Sequence, residues 1–166
     1  DDKFDAFFNS FSFTVTDNTN INIVLKRPFA QLNVGITNEE WNKAVAQGIT
    51  IKTSTVEVKE AASVLNLIDG SVSEPKNVVF KANALPQEAL VVDVNQDGVN
   101  EAYKYLSMCY FLPYDENGGA AKTLLTDLDF TFTPVNGSPI VLSNGLENAP
   151  VQRNHRTNII GFGDLG

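Results

Sequence analysis

Phe130-Thr131-Phe132-Thr133 and Thr55-Val56-Glu57-Val58-Lys59 decide the fold. Bulky apolar and polar side chains alternate in both, and successive side chains of an extended strand point to opposite faces. Each stretch therefore lays one apolar face against a partner and leaves the other to water; a helix would scatter the same residues around its circumference. The pattern returns in Phe11-Ser12-Phe13-Thr14-Val15-Thr16, and at Ile21 and Ile23 before Val24-Leu25, so strands are expected there too. Val78-Val79-Phe80, Leu90-Val91-Val92, Tyr105 to Leu112 and Ile140-Val141-Leu142 are continuous apolar runs, expected as more deeply buried strands.

Turn-forming residues punctuate these stretches at Asp69 to Asn77, Asn95 to Gly98, Pro113 to Gly119, Pro134 to Pro139 and Ser143 to Pro150. Strand follows strand with hardly any helical periodicity between. That order argues against the βαβ repeats of a nucleotide-binding sheet and for antiparallel hairpins stacked as a β-sandwich. One short helix is expected. Thr37-Asn38-Glu39-Glu40 is a capping box in which Thr37 and Glu40 each satisfy an otherwise unpaired backbone N–H. Ile36 and Trp41 take the staple positions, Trp41, Ala44 and Val45 share a face, and Gly48 supplies the stop, giving a lid or crossover against the sandwich.

With 166 residues the chain is the size of one domain with one core, and 43% apolar against 19% charged residues is too hydrophobic for a disordered chain. A net charge of −8 repels phosphate backbones and anionic lipid surfaces, so nucleic acid is not an expected partner. The longest apolar run, Met108 to Leu112, falls far short of the roughly 20 residues of a membrane-crossing helix. Asp1-Asp2-Lys3-Phe4 has neither the basic flank nor the apolar stretch of a secretory signal, so any signal is expected upstream. Cys109 is the single cysteine, which excludes an internal disulfide; its neighbours Met108 and Tyr110 predict a buried, inert thiol.

Candidate chemistry is sparse. The single histidine, His155, stands between Arg153 and Arg156, whose charges disfavour the protonated state a general base must reach, so a polar strand position is expected instead. Asp93-Val94-Asn95-Gln96-Asp97-Gly98 imitates the start of a calcium loop, but position twelve is Lys104, where a bidentate carboxylate is wanted. A hairpin turn at Asp97-Gly98 is the expected structure there. Asp127 and Asp129, two apart on a strand, share a face that is expected to be solvated. Phe4, Phe7, Phe8, Phe11 and Phe13 are expected to pack in the core, since Lys3 is the only basic residue among them. No catalytic, cofactor-binding or metal-binding residue is assigned, and an enzyme is not expected.

Four stretches, in this order, resemble the fimbrillin-like (type V pilin) proteins of Bacteroides-type bacteria: Asp5-Ala6-Phe7-Phe8, Leu25-Lys26-Arg27-Pro28-Phe29-Ala30-Gln31-Leu32-Asn33-Val34-Gly35, Tyr103-Lys104-Tyr105-Leu106-Ser107-Met108-Cys109-Tyr110 and Val151-Gln152-Arg153-Asn154-His155-Arg156-Thr157-Asn158-Ile159-Ile160-Gly161. The resemblance implies a mainly β, transthyretin-like antiparallel β-sandwich with one short helix over residues 1–161, followed by a tail at 162–166. Proteins of that family are exported as lipoproteins, matured by surface proteolysis and polymerised by donating a β-strand into a groove of the next subunit. The chain is thus expected to be a structural or adhesive subunit of a cell-surface fimbria, exported through the outer membrane. The implied partners are other pilin subunits by strand exchange and host or bacterial surface receptors, with membrane contact only through a lipid anchor outside this chain and no cofactor.

The chain departs from the family pattern in lacking the lipidated cysteine region and the N-terminal domain, and in running on as Phe162-Gly163-Asp164-Leu165-Gly166 where an apolar strand is usual, so a piece of a longer protein is expected. Pro28 blocks trypsin-like cleavage after Arg27, and Lys26-Arg27 is expected to cap a strand end. The rival expectation is a calcium- or carbohydrate-binding module of a surface nutrient-capture system, built on Asp93, Asn95 and Asp97 with exposed aromatics.

Overall fold

A computed structural model describes residues 6–16, 18–116, 122–142 and 146–161. The strands are β1 (Ala30–Ile36), β2 (Ile51–Leu65), β3 (Val72–Ala82), β4 (Ala89–Val92), β5 (Glu101–Phe111), β6 (Leu124–Thr126), β7 (Leu128–Pro134), β8 (Ile140–Leu142), β9 (Ala149–Val151) and β10 (Arg156–Ile160), with helix α1 (Asn38–Ala46) after β1. One four-stranded sheet runs β10-β1-β5-β4 and the other β3-β2-β7-β8, while β6 and β9 form a two-stranded ribbon. The fold is the expected mainly-β sandwich with one short helix. Phe4 and the 162–166 tail lie outside the described residues.

The two opening stretches meet in the core. Val56 pairs with Phe130 and Ser54 with Phe132 across β2 and β7, and Val56, Val58, Phe130 and Phe132 are sealed from solvent. Leu32, Val34 and Ile36 of β1 and Leu106 of β5 close over them from the other sheet. This is period-two patterning converted into burial.

β1 is buried on both faces, although Gln31 and Asn33 alternate with its apolar residues. Asn33 Nδ2 donates to Asn158 Oδ1 at 2.9 Å and Gln31 Nε2 to Asn33 Oδ1 at 3.0 Å, so a short amide ladder satisfies much of the hidden polarity. β10 runs parallel to β1, the exception to the antiparallel pattern. At Gly35, beside a register shift, an added Cβ would lie 2.9 Å from Leu90 Cδ2 and 3.0 Å from Ile160 Cδ1. Gly35→Val is therefore expected to cost about 1–3 kcal/mol, read as a lower urea midpoint at unchanged slope.

Helix α1 carries the chain from the first sheet to the second. Thr37 Oγ1 accepts from Glu40 N at 3.1 Å, as expected, but also donates to Glu40 Oε2 at 2.9 Å, so the box closes side chain to side chain. Trp41 packs against the core, Ala44 is buried and Val45 is exposed. Thr37→Ala is expected to cost about 1 kcal/mol in a thermal melt.

Several expectations are corrected. Residues 11–16 and 21–25 join no sheet, and Phe7, Phe11 and Phe13 are about half exposed at 52%, 47% and 56% rather than in the core. Val79, Val91 and Val141 are exposed because β3, β4 and β8 are edge strands wetted on one face. The turn expected over Asp69 to Asn77 yields to β3 from Val72 onward, where an edge strand tolerates Pro75. Similarly, Ala149 and Pro150 at the end of the expected Ser143 to Pro150 turn belong to β9.

Candidate functional site

β5 has eleven residues and its neighbour β4 only four. β4 pairs with Glu101 to Lys104, and β1 covers the opposite edge of β5 as far as Phe111. Among the described residues, Leu106–Cys109 therefore has a strand partner on the β1 side alone. The chain entering β4 cannot extend the ladder there, because residues 83–88 bend across from β3 and Pro86 has no N–H to give. β3 is itself an edge strand. Between its residues 79–82 and residues 107–110 of β5 lies a cleft of about 680 Å³.

The cleft has a mixed lining, polar and apolar in nearly equal measure. Phe80, Ala84, Leu85 and Met108 line it, with Lys81 and Glu88 as its charged lining among the described residues. Cys109 is 4% exposed within it, and burial pushes its thiol up to about 12. The thiol is buried as expected. The site sets a stretch of strand with one described strand partner beside a cleft of mixed lining.

His155, Asp127 and Asp129, singled out from sequence, do not assemble into one site. His155 is exposed in the turn before β10, not on a strand, with Nδ1 2.8 Å from Arg153 O. Asp127 and Asp129 take separate partners: Asp127 Oδ1 accepts from Asn148 N at 2.9 Å, and Asp129 Oδ2 lies 2.7 Å from Lys59 Nζ. The Lys59 ammonium also contacts Glu57 Oε1 at 3.1 Å; the hydrogen bonds it donates to Asp129 first and Glu57 second raise its pKa.

The β4–β5 connection is the expected hairpin, with Val92 opposite Glu101. Carboxylate oxygens of Asp93, Asp97 and Glu101 lie within 4.8 Å of one another. The loop uses them: Asp93 accepts from Asp97 N at 3.1 Å and Gly98 N at 2.8 Å, and Asp97 Oδ1 accepts from Val99 N at 2.8 Å. Tyr103 beside them has its phenol pKa raised by burial, then by the charges of Glu101 and Asp93. Asn95 joins the same loop through its amide. Lys104, at the twelfth position, instead sits 5.4 Å over the Trp41 ring.

The half-paired edge had one sequence signal: the apolar run at Leu90 is far shorter than the one ending at Leu112, so the shorter strand cannot pair with the whole of the longer one. Two stacked sheets and one short helix define the class as a mainly-β sandwich. The chain belongs to the family of unknown function DUF6562, whose profile matches residues 1–162. Comparison with curated proteins and with solved structures gives no match.

Proposed function

We propose that the chain is a structural or adhesive subunit of a cell-surface fimbria, assembled by β-strand donation between subunits. The observation that supports this reading is that, among the described residues, Leu106–Cys109 has a strand partner on the β1 side alone, beside the cleft at β3. Exposed edges are templates for pairing, and proteins that must stay monomeric blunt them with charge, proline or bulges. Leu106-Ser107-Met108-Cys109 contains neither proline nor charge. Leu106, Ser107 and Cys109 are buried in the monomer, so an incoming strand would have to open the cleft to gain main-chain hydrogen bonds from this edge and set alternate side chains into it.

Size-exclusion chromatography with light scattering and electron microscopy on the full-length, processed protein test the reading. Fibres that grow with concentration are expected. A monomer at every concentration overturns it.

A surface calcium-binding module is the second reading, supported by the grouping of Asp93, Asp97 and Glu101 and weakened by the loop amides that already occupy their oxygens. Calorimetry separates the two. Heat on adding calcium, with a rise in melting temperature, would favour the module.

A further inference from the structure

Residues 8–10 and 24–28, the β2–β3 turn and the turn before β10 meet around a second cleft, of about 480 Å³. Hydrogen bonds tie the three segments into one rim. Phe8 and Lys26 form an antiparallel bridge, with Phe8 N to Lys26 O at 2.9 Å and Lys26 N to Phe8 O at 2.8 Å. Asn154 N donates to Phe29 O at 2.8 Å, and Arg153 Nη1 donates to Gly70 O at 2.6 Å. At Gly70, where φ is +76°, an added Cβ would lie 2.8 Å from Phe8 Cζ and 3.9 Å from Arg153 Nη1, so only glycine lets the ring and the guanidinium converge there.

The lining is cationic in an acidic protein. Lys26, Arg27, Arg153 and His155 line the cleft against a single carboxylate among the described residues, Asp69. Asp69 is held by its own turn: Oδ1 accepts from Ser71 Oγ at 2.7 Å and Ser71 N at 2.8 Å, bonds that lower its pKa. Arg27 lies over the Phe7 ring at 4.9 Å. Burial lowers the Arg153 pKa, and the charge of Asp115 opposes that shift. Even with Asp115 set against Arg153, cations outnumber carboxylates here, in a chain of net charge −8. The β3–β5 cleft balances Lys81 against Glu88, and the cleft beside β6 sets Lys59 against Glu60 and Asp127.

We propose that this cationic cleft binds an acidic sugar, a single residue carrying a carboxylate among hydroxyls. The carboxylate goes to the cations, where charge-assisted hydrogen bonds are strongest; a guanidinium has five N–H donors, so the bond from Arg153 to Gly70 leaves it able to make more. Ser10, Gln152 and Asn154 both donate and accept, as recognition of hydroxyls requires. Phe8, Leu25 and Ile68 give the ring an apolar wall.

Size and charge select one sugar residue over a polymer. The volume lies within the roughly 300–1,000 Å³ of small-molecule sites. A long polyanion would run past the rim onto a surface whose net charge repels it; a lone carboxylate meets the cations alone. An acidic peptide would supply the carboxylate but leave the amides without hydroxyl partners.

The test is calorimetry on the full-length chain at physiological ionic strength, with glucuronate as probe and glucose as its neutral match. Glucuronate is expected to bind at least about tenfold more tightly than glucose. Lys26→Glu should weaken it at least about tenfold, while Lys52→Glu, the same charge change at an exposed site on β2, should alter it by no more than about twofold. In the unaltered chain, saturating glucuronate should slow acetylation of Lys26 and leave that of Lys52 unchanged, a readout that needs no variant to fold. No binding, equal affinity for glucose, or full affinity in Lys26→Glu with Lys26 unprotected overturns the site. Inorganic sulfate or an aspartate tetrapeptide binding as tightly as glucuronate overturns the sugar assignment. The inference goes beyond strand donation and fails separately from it: a chain that stays monomeric still binds the sugar, and fibres that ignore glucuronate leave strand donation standing.

Discussion

Phe130→Ala is expected to lower the unfolding free energy by about 3–5 kcal/mol, the largest single-residue effect in the molecule. Phe130 is 0% exposed on β7, with Val56 opposite on β2 and Leu142 opposite on β8. Its ring stacks on Phe132 at 6.1 Å and 10°. Hydrogen-bonded strands on both sides hold the backbone in place, so the void cannot close by collapse, and the cost falls at the upper end of the range. A domain of this size has about 5–15 kcal/mol in total, and much of it would go. Urea denaturation gives the number. The matched control, Phe11→Ala, should change stability by no more than about 0.5 kcal/mol, because that ring is exposed in the dilute monomer. A loss below about 1 kcal/mol for Phe130→Ala would mean that the two sheets do not close over β7 as described.

Cys109 gives the second large effect. Its thiol is raised from an ordinary 9.0 to about 12 by burial, which lowers the thiolate fraction near neutral pH about a thousandfold. Thiol reagents should therefore label the folded protein at least about a thousandfold more slowly than the urea-unfolded chain, at a rate that follows unfolding. The sign of the linked pH effect follows from the same shift. Below pH 9 the thiol is protonated in both states and its contribution to stability is fully present. As pH rises from 9 toward 12, only the unfolded chain ionises, and that contribution is lost. Cys109→Ala should flatten this alkaline decline in denaturant midpoints. Rapid native labelling at pH 7 would show instead that the cleft opens to its floor.

Legibility in the sequence followed local chemistry. Phe130-Thr131-Phe132-Thr133 and Thr55 to Lys59 announced the strands that pair as β7 and β2, because a half-buried strand writes its two faces into alternate residues. Thr37 and Asp97-Gly98 likewise placed a helix start and a hairpin turn, since caps and turns depend on neighbouring backbone. The same alternation at Phe11 to Thr16 gave no sheet. A strand needs an edge to pair with, and the segment's own composition cannot state whether one lies within reach. The candidate site was less legible still: the stretch of β5 that β4 does not reach comes from the unequal lengths of two strands and from which sheet each joins.

The sequence by itself determined that this is a mainly-β chain with one helix and a protected thiol, because periodicity, capping and residue volume act over a few neighbouring residues. Tertiary structure alone decided that Gln31 and Asn33 are buried against Asn158, that β10 lies parallel to β1, and that, among the described residues, Leu106–Cys109 pairs with β1 alone. Those outcomes depend on which distant strands become neighbours, and strand partnership is settled by closing one core over both sheets rather than by any segment's own pattern.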